Sequence, residues 1–367
     1  MRQFLFLCTV LAMSVFTVTS QENESIRKIT LQLTPGDDNP RNSEGDFVTL
    51  KDGRIMFIYT HFTGKSTSDY APAHLAARYS SDGGKTWTQN DKLVLENEGG
   101  MNIMSVSLLR LNNGKIALFY AQKNSETDCI PIIRISSDDG ETWGEQTACI
   151  TDKKGYFVLN NSRVIQLKSG RILMAVALHQ EPEQKWQNKG ALFVYYSDDM
   201  GRTWTSSPKV PDNTDIITQE PGLVKLKDGR IMMFIRASGG VQQLSYSSDD
   251  GETWSHIEPS NLHSPLSPAS IKRIPSTKDL LAVWNNNDGS NPSIKGKRTP
   301  LTVAVSKDEG KTWLHVNDIE TDPDEWYCYI AIHFDRKNVL LGYCAGKTHL
   351  ALTNISLIPV KKLYGKK

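Results

Sequence analysis

The chain runs to 367 residues and balances 42 Lys and Arg against 41 Asp and Glu, a formal net charge of +1. That neutrality, with no basic run beyond the Lys361-Lys362 and Lys366-Lys367 tail, excludes a nucleic-acid surface. Past the N-terminal segment no stretch stays apolar long enough to cross a membrane as a helix.

In chain order, Met1-Arg2, an apolar run from Phe4 to Val18 and the small pair Thr19-Ser20 before Gln21 read as a secretory signal peptide over residues 1–20. Residues 21–367 then form one exported domain, secreted or periplasmic. Cys8 lacks the preceding small residues of a lipoprotein anchor. Ile26 to Leu33 precedes the first repeat and is placed to close a ring by pairing into the last one.

The pattern S-x-D-x-G-x-T-W then occurs five times, Ser80 to Trp87, Ser136 to Trp143, Ser197 to Trp204, Ser247 to Trp254 and Ser306 to Trp313, with starts 56, 61, 50 and 59 residues apart. Each copy is a β-turn with an anchor. Asp82, Asp138, Asp199, Asp249 and Asp308 accept backbone N–H bonds across their own turn, the glycine two positions on supplies an unusual φ, and the Trp packs inward. Such aspartates are structural rather than catalytic.

Around each box runs a second theme, clearest in Gly222 to Leu226, Lys227-Asp228-Gly229, Arg230 to Arg236 and Val241 to Ser247. This is an antiparallel four-stranded meander. Its hairpin signal recurs at Asp52-Gly53, Asn113-Gly114, Ser169-Gly170, Asp228-Gly229, Lys278-Asp279 and Arg336-Lys337. Six hairpins against five boxes predict an all-β, six-bladed β-propeller whose last blade lacks the box. Cys129 with Cys149 and Cys328 with Cys344 either staple blades or stay as buried free thiols; the residues leave both open.

Topology restricts the chemistry to one mouth. If the first strand of each blade descends, the residues before strand one and between strands two and three share the top face. That filter selects Arg41, Asp69, His74, Arg163, His179, Glu220, Arg236, Arg298 and Tyr327, with weaker claims for His61 and Asn102. Residues distant in sequence converge there on a concave site.

The boxes, the run from Glu220-Pro221-Gly222 to Arg236, Arg298-Thr299-Pro300 leading into the fifth box, and the late Tyr327 resemble the bacterial-type sialidase superfamily of BNR/Asp-box repeat proteins. The resemblance implies a retaining exo-sialidase with an arginine triad, a Tyr/Glu nucleophilic pair and an aspartic general acid/base. By position, Arg41, Arg236 and Arg298 match the triad, Tyr327 the nucleophile and Glu220 its base, while Asp69 or His74 is the acid. Arg163 and His179 are assigned to general substrate contact.

The residue types suit the substrate. Sialic acid carries a carboxylate on its anomeric carbon, which guanidinium groups grip through paired, charge-assisted bonds. A carboxylate nucleophile would meet repulsion there, whereas a phenol losing its proton as it attacks avoids it. The chain departs from the family pattern in blade one, where Asn39-Pro40-Arg41-Asn42-Ser43-Glu44 replaces the aromatic-Arg-Ile-Pro presentation of the first arginine. A glycosidase for another terminal, possibly acidic, sugar and a non-catalytic glycan-binding propeller are therefore the alternatives. No zinc, phosphate-loop or serine-hydrolase motif occurs, so no metal or cofactor is expected. The expected partner is a glycan substrate, bound by a monomer.

Overall fold

The computed structural model describes residues 25–347 and 351–365. The signal peptide expected at residues 1–20, with Cys8, lies outside the described residues, as do Lys366 and Lys367. The described chain is all-β apart from a short 3-10 turn at Val360–Tyr364.

Antiparallel meanders follow one another along the chain. Four are separate four-stranded sheets, and two share a nine-stranded sheet, linked by one parallel bridge between Tyr156 and Cys129. The hairpin signals fall between the first two strands of their meanders, as at Asp52-Gly53 between Asn42–Thr49 and Ile55–Phe62. The early segment pairs as anticipated, with Lys28–Leu33 adding an antiparallel edge to Leu352–Pro359 of the last sheet.

The opening strands contact one another in cyclic order. Asn42–Thr49 packs against Asn102–Arg110 and Cys328–Asp335, and the series continues through Val164–Gln166, Thr218–Lys225 and Ser270–Arg273 back to Cys328–Asp335. Second strands such as Ile55–Phe62 and Ile172–Gln180 are buried on both faces, which is why they read as continuous apolar runs rather than alternating ones. A separate apolar cluster lies between each neighbouring pair of meanders. Full burial of rings such as Phe57 and Phe119 stabilises the fold by about 1.5–3 kcal/mol each.

All five boxes make the same turn. In the first, Ser80 Oγ donates to Asp82 Oδ1 at 2.9 Å, Gly84 N donates to Ser80 Oγ at 2.8 Å, and Thr86 N donates to Asp82 Oδ1 at 2.9 Å. Equivalent bonds recur at Asp138, Asp199, Asp249 and Asp308. The turn glycines have φ between +83° and +95°, a region L side chains resist. Each box Trp packs on the cluster shared with the preceding meander. In the last meander, which has no box, Val360, Leu363 and Tyr364 of the 3-10 turn fill that place.

Candidate functional site

Two cavities lie at opposite ends of the opening strands. The hairpin-side cavity is described below. The other, of about 360 Å³, collects residues from the starts of the first strands and the ends of the second strands, including Asp69, His179, Glu220, Arg236, Arg298 and Tyr329.

A repeated backbone device aims residues into this cavity. The opening strands bulge between Ser43 and Asp46, Met104 and Ser107, Gln219 and Gly222, and Cys328 and Ala331. Within those bulges Glu44, Ser105, Glu220 and Tyr329 adopt φ of +54°, +62°, +42° and +56°, and all four line the cavity. A non-glycine residue held there costs about 1–3 kcal/mol. Bulges recur beside sites because they re-aim a side chain.

Two of the expected arginines reach the wall. Arg236 Nη1 donates to Glu220 Oε1 at 2.7 Å, and Asn160 Nδ2 approaches Glu220 Oε2 at 3.4 Å. Arg298 has no carboxylate within ion-pair distance among the described residues. Its Nη1 lies 3.1 Å from Cys328 Sγ, and the guanidinium sits over the Trp326 and Tyr329 rings at 5.7 and 5.6 Å. Burial opposes the Arg298 charge, yet Cys328, Tyr329 and Glu220 outweigh it and hold the proton more firmly than usual.

Arg41 is placed differently from expectation. It is buried behind the wall, donating to Asp69 Oδ1 at 2.5 Å and to Glu44 Oε1 at 3.1 Å. Burial again opposes its charge, and the two carboxylates overcome it. Asp69 is in the mouth with its side chain 58% exposed. Burial raises its proton affinity, but Arg41 and Lys123 prevail and hold its carboxyl below the usual range. Asn102 fixes this loop from below, donating to the carbonyls of Asp69 at 2.9 Å and Ala71 at 2.8 Å. Glu44 behaves oppositely, since burial pushes its carboxyl up despite Arg41.

Three expectations are corrected. Tyr327 does not face the cavity: its ring is in the core against Tyr343, and its hydroxyl donates to Glu325 at 3.1 Å. The bulge presents Tyr329 two residues later. His74 stacks on His61 at 4.6 Å, outside the cavity, where His61 also meets Asp91 at 3.3 Å. Arg163 points to the hairpin-side cavity. His179 does line the mouth, with Nδ1 2.7 Å from the Gln187 carbonyl and its ring stacked on Trp186 at 4.6 Å.

Sequence reasoning passed over Tyr329, Glu44, Ser105 and Lys123. Lys123 was findable, because it ends the second strand of its meander as His179 nearly does. The bulged residues carried no such signal. All four remaining cysteines are free thiols in buried positions, and burial pushes Cys328 up to about 11 against the pull of Arg298.

Comparison with known proteins agrees with this architecture. The BNR repeat-like domain family matches residues 97–341, and a BNR/Asp-box repeat matches residues 78–89. A sialidase of Paraclostridium sordellii is 28% identical over 247 residues, covering 60% of this chain and 58% of that protein. One from Bacteroides fragilis is 22% identical over 364 residues, covering 89% of this chain and 64% of that protein. The chain thus spans less than two thirds of the length of these curated relatives. The solved structure of a Hadza microbial sialidase superposes with a TM-score of 0.71 at 17% identity, over 89% of this chain and 67% of that one. With the repeat turns, the sheet order and these matches in agreement, the chain belongs to the BNR repeat-like family of the bacterial-type sialidase superfamily.

Proposed function

We propose that the protein is a retaining exo-glycosidase of the sialidase type that removes a terminal sialic acid from glycoconjugates. The reading takes the meanders as the blades of a six-bladed propeller with five Asp-box turns, supported by the cyclic contacts of the opening strands. It takes residues 1–20 as an export signal; no helix among the described residues is long and apolar enough to cross a membrane.

The observation that carries the proposal is Arg298, a half-buried guanidinium without a carboxylate partner among the described residues, on the same wall as the Glu220–Arg236 pair and Tyr329. A substrate carboxylate supplies the missing counter-charge through paired bonds to Arg298 and Arg236. Tyr329 is the nucleophile. Burial, reinforced by Glu220, raises its phenol, so it stays neutral until attack, when Tyr329 Oη bonds the anomeric carbon and its proton passes to Glu220. The glycosidic C–O bond breaks as Asp69 protonates the leaving oxygen. Water, deprotonated by Asp69, then attacks the anomeric carbon, and Tyr329 leaves with its proton restored.

Asp69 must carry a proton to act first as acid, and in the free protein Arg41 opposes that. A substrate carboxylate seated on Arg298 neutralises one of the cations that lower Asp69 and so raises that carboxyl toward the working range. The test is fluorophore release from a sialoside by Tyr329→Phe and Tyr327→Phe. Loss in the first with retention in the second supports the assignment; equal activity in both defeats it. The engagement of Arg41 by two carboxylates favours a second reading, a different terminal sugar. It predicts release from another glycoside that is equally sensitive to Tyr329→Phe.

A further inference from the structure

The hairpin-side cavity has a volume of about 970 Å³ and is built from several meanders around the axis. Seven Lys and Arg side chains line it against two carboxylates, Asp46 and Asp250. Pairing accounts for part of that excess: Lys225 meets Asp250 at 2.6 Å, and Arg273 and Lys227 share Glu309 at 2.6 and 3.4 Å. Four cations on the wall have no carboxylate within ion-pair distance among the described residues: Lys168 and Lys278 in the exposed hairpin turns, and Arg163 and Lys272 at the opening strands.

Of the latter two, Arg163 is the more demanding. It is 2% exposed, and its Nε and Nη1 are buried without a hydrogen-bond partner. Its one close neighbour of the right kind is the Phe234 ring, at 5.1 Å. The acids near it are committed elsewhere. Glu220 accepts from Arg236 and Asn160, and Asp46 accepts the backbone N–H groups of Phe47 and Leu108, both at 2.9 Å. Lys272 reaches the Ile332 carbonyl at 2.8 Å and keeps its remaining protons free for the cavity. Burial pushes Arg163 down to about 10, with Glu220 acting the other way, so the group is still charged at neutral pH. An uncompensated buried charge is costly, and structures retain one where a ligand meets it.

We propose that this well binds a small oxyanion, free or as an ester of a small sugar, between Arg163 and Lys272. The guanidinium fork suits two oxygens of one anion, and the Lys272 ammonium adds a second charge-assisted bond. The site is independent of the glycosidase reading, since none of its residues serves the catalytic cavity.

Inorganic phosphate is the first probe and glucose 6-phosphate the second, each titrated into the full chain by calorimetry and thermal shift against sodium chloride of equal ionic strength. We expect saturable binding of phosphate with a rise in melting temperature, loss of at least tenfold in affinity in Arg163→Gln, and a smaller loss in Lys272→Gln. Arg298→Gln, in the other cavity, keeps the binding. Tighter binding of the ester identifies a sugar phosphate as occupant, and equal binding identifies the free anion. A response no greater than that to chloride, or one undiminished in a folded Arg163→Gln, overturns the proposal. If Arg163→Gln does not fold, unchanged binding in Lys272→Gln overturns it instead.

Discussion

At the hairpin end of the sheets the chain repeats itself, with the same Ser-Asp-Gly-Thr bonds in five turns and a Trp on each neighbouring cluster. At the bulged end the groups vary: Glu44, Ser105, Glu220 and Tyr329 occupy corresponding bulges, and the two glutamates face different partners, Arg41 and Ser105 for Glu44 and Arg236 and Asn160 for Glu220. A turn that satisfies its own polar groups within eight residues can be copied without regard to its surroundings. A bulge that aims one side chain at a shared cavity is set by what that side of the cavity holds, so its residue need not be copied. The repeated end thus holds self-satisfied structural turns, and the varied end holds the cavity proposed as the catalytic site.

The contrast is broken most severely at Tyr329. Tyr329→Phe should lower kcat by about a hundred- to ten-thousand-fold, the range of a positioned proton-transfer or bonding group, with little change in melting temperature; steady-state kinetics and a thermal melt check both. Arg298→Lys comes next, with a loss of about tenfold or more in kcat/KM as the paired grip becomes a single point charge. At the repeated end, Gly84→Ala should leave kcat intact and cost about 1–3 kcal/mol in urea unfolding. A Cβ there lies 2.5 Å from Leu340 Cδ2 on a residue with φ of +83°.

Acid sharpens the same distinction. Asp82, Asp138, Asp199, Asp249 and Asp308 are lowered from 3.8 to about 2. Burial works against that shift at Asp82, Asp199 and Asp249, and the turn hydrogen bonds overcome it. At Asp138 and Asp308 the Thr hydroxyl bond is itself the leading cause. A carboxyl lowered by folding contributes stability that is complete above its unfolded value and fades as pH falls through its folded one. Melting temperature should accordingly decline between about pH 4 and pH 2, and Asp138→Asn should flatten its share of that decline. The smallest effect concerns the thiols. Burial pushes Cys129 up to about 12 and Cys328 to about 11, so a thiol reagent at pH 8 should label neither until denaturant is added.

Much of the architecture was legible because its signals are local. The boxes, the hairpin dipeptides and the alternation within strands each act over a few residues, and the pairing of Lys28–Leu33 into the last sheet followed from the spare edge. Glu220, Arg236, Arg298, Asp69 and His179 were legible as cavity residues because topology alone sends strand ends to one mouth. Tyr327 and Tyr329 could not be separated in that way. In an unbroken strand residues two apart share a face, so only the bulge between Cys328 and Ala331 decides that one ring enters the core and the other the cavity.

The sequence by itself determined the repeat, the turn chemistry and the set of distant residues brought near a common axis, since each depends on short-range hydrogen bonding and strand period. Only the tertiary structure decided which tyrosine faces the cavity, that Arg41 stands behind Asp69 and Glu44, that Arg163 lines the opposite cavity, and that the cysteines are unpaired. Those outcomes turn on one-residue insertions in strands and on which charges meet where a loop folds back over its own sheet. Neither leaves a periodic trace in the chain.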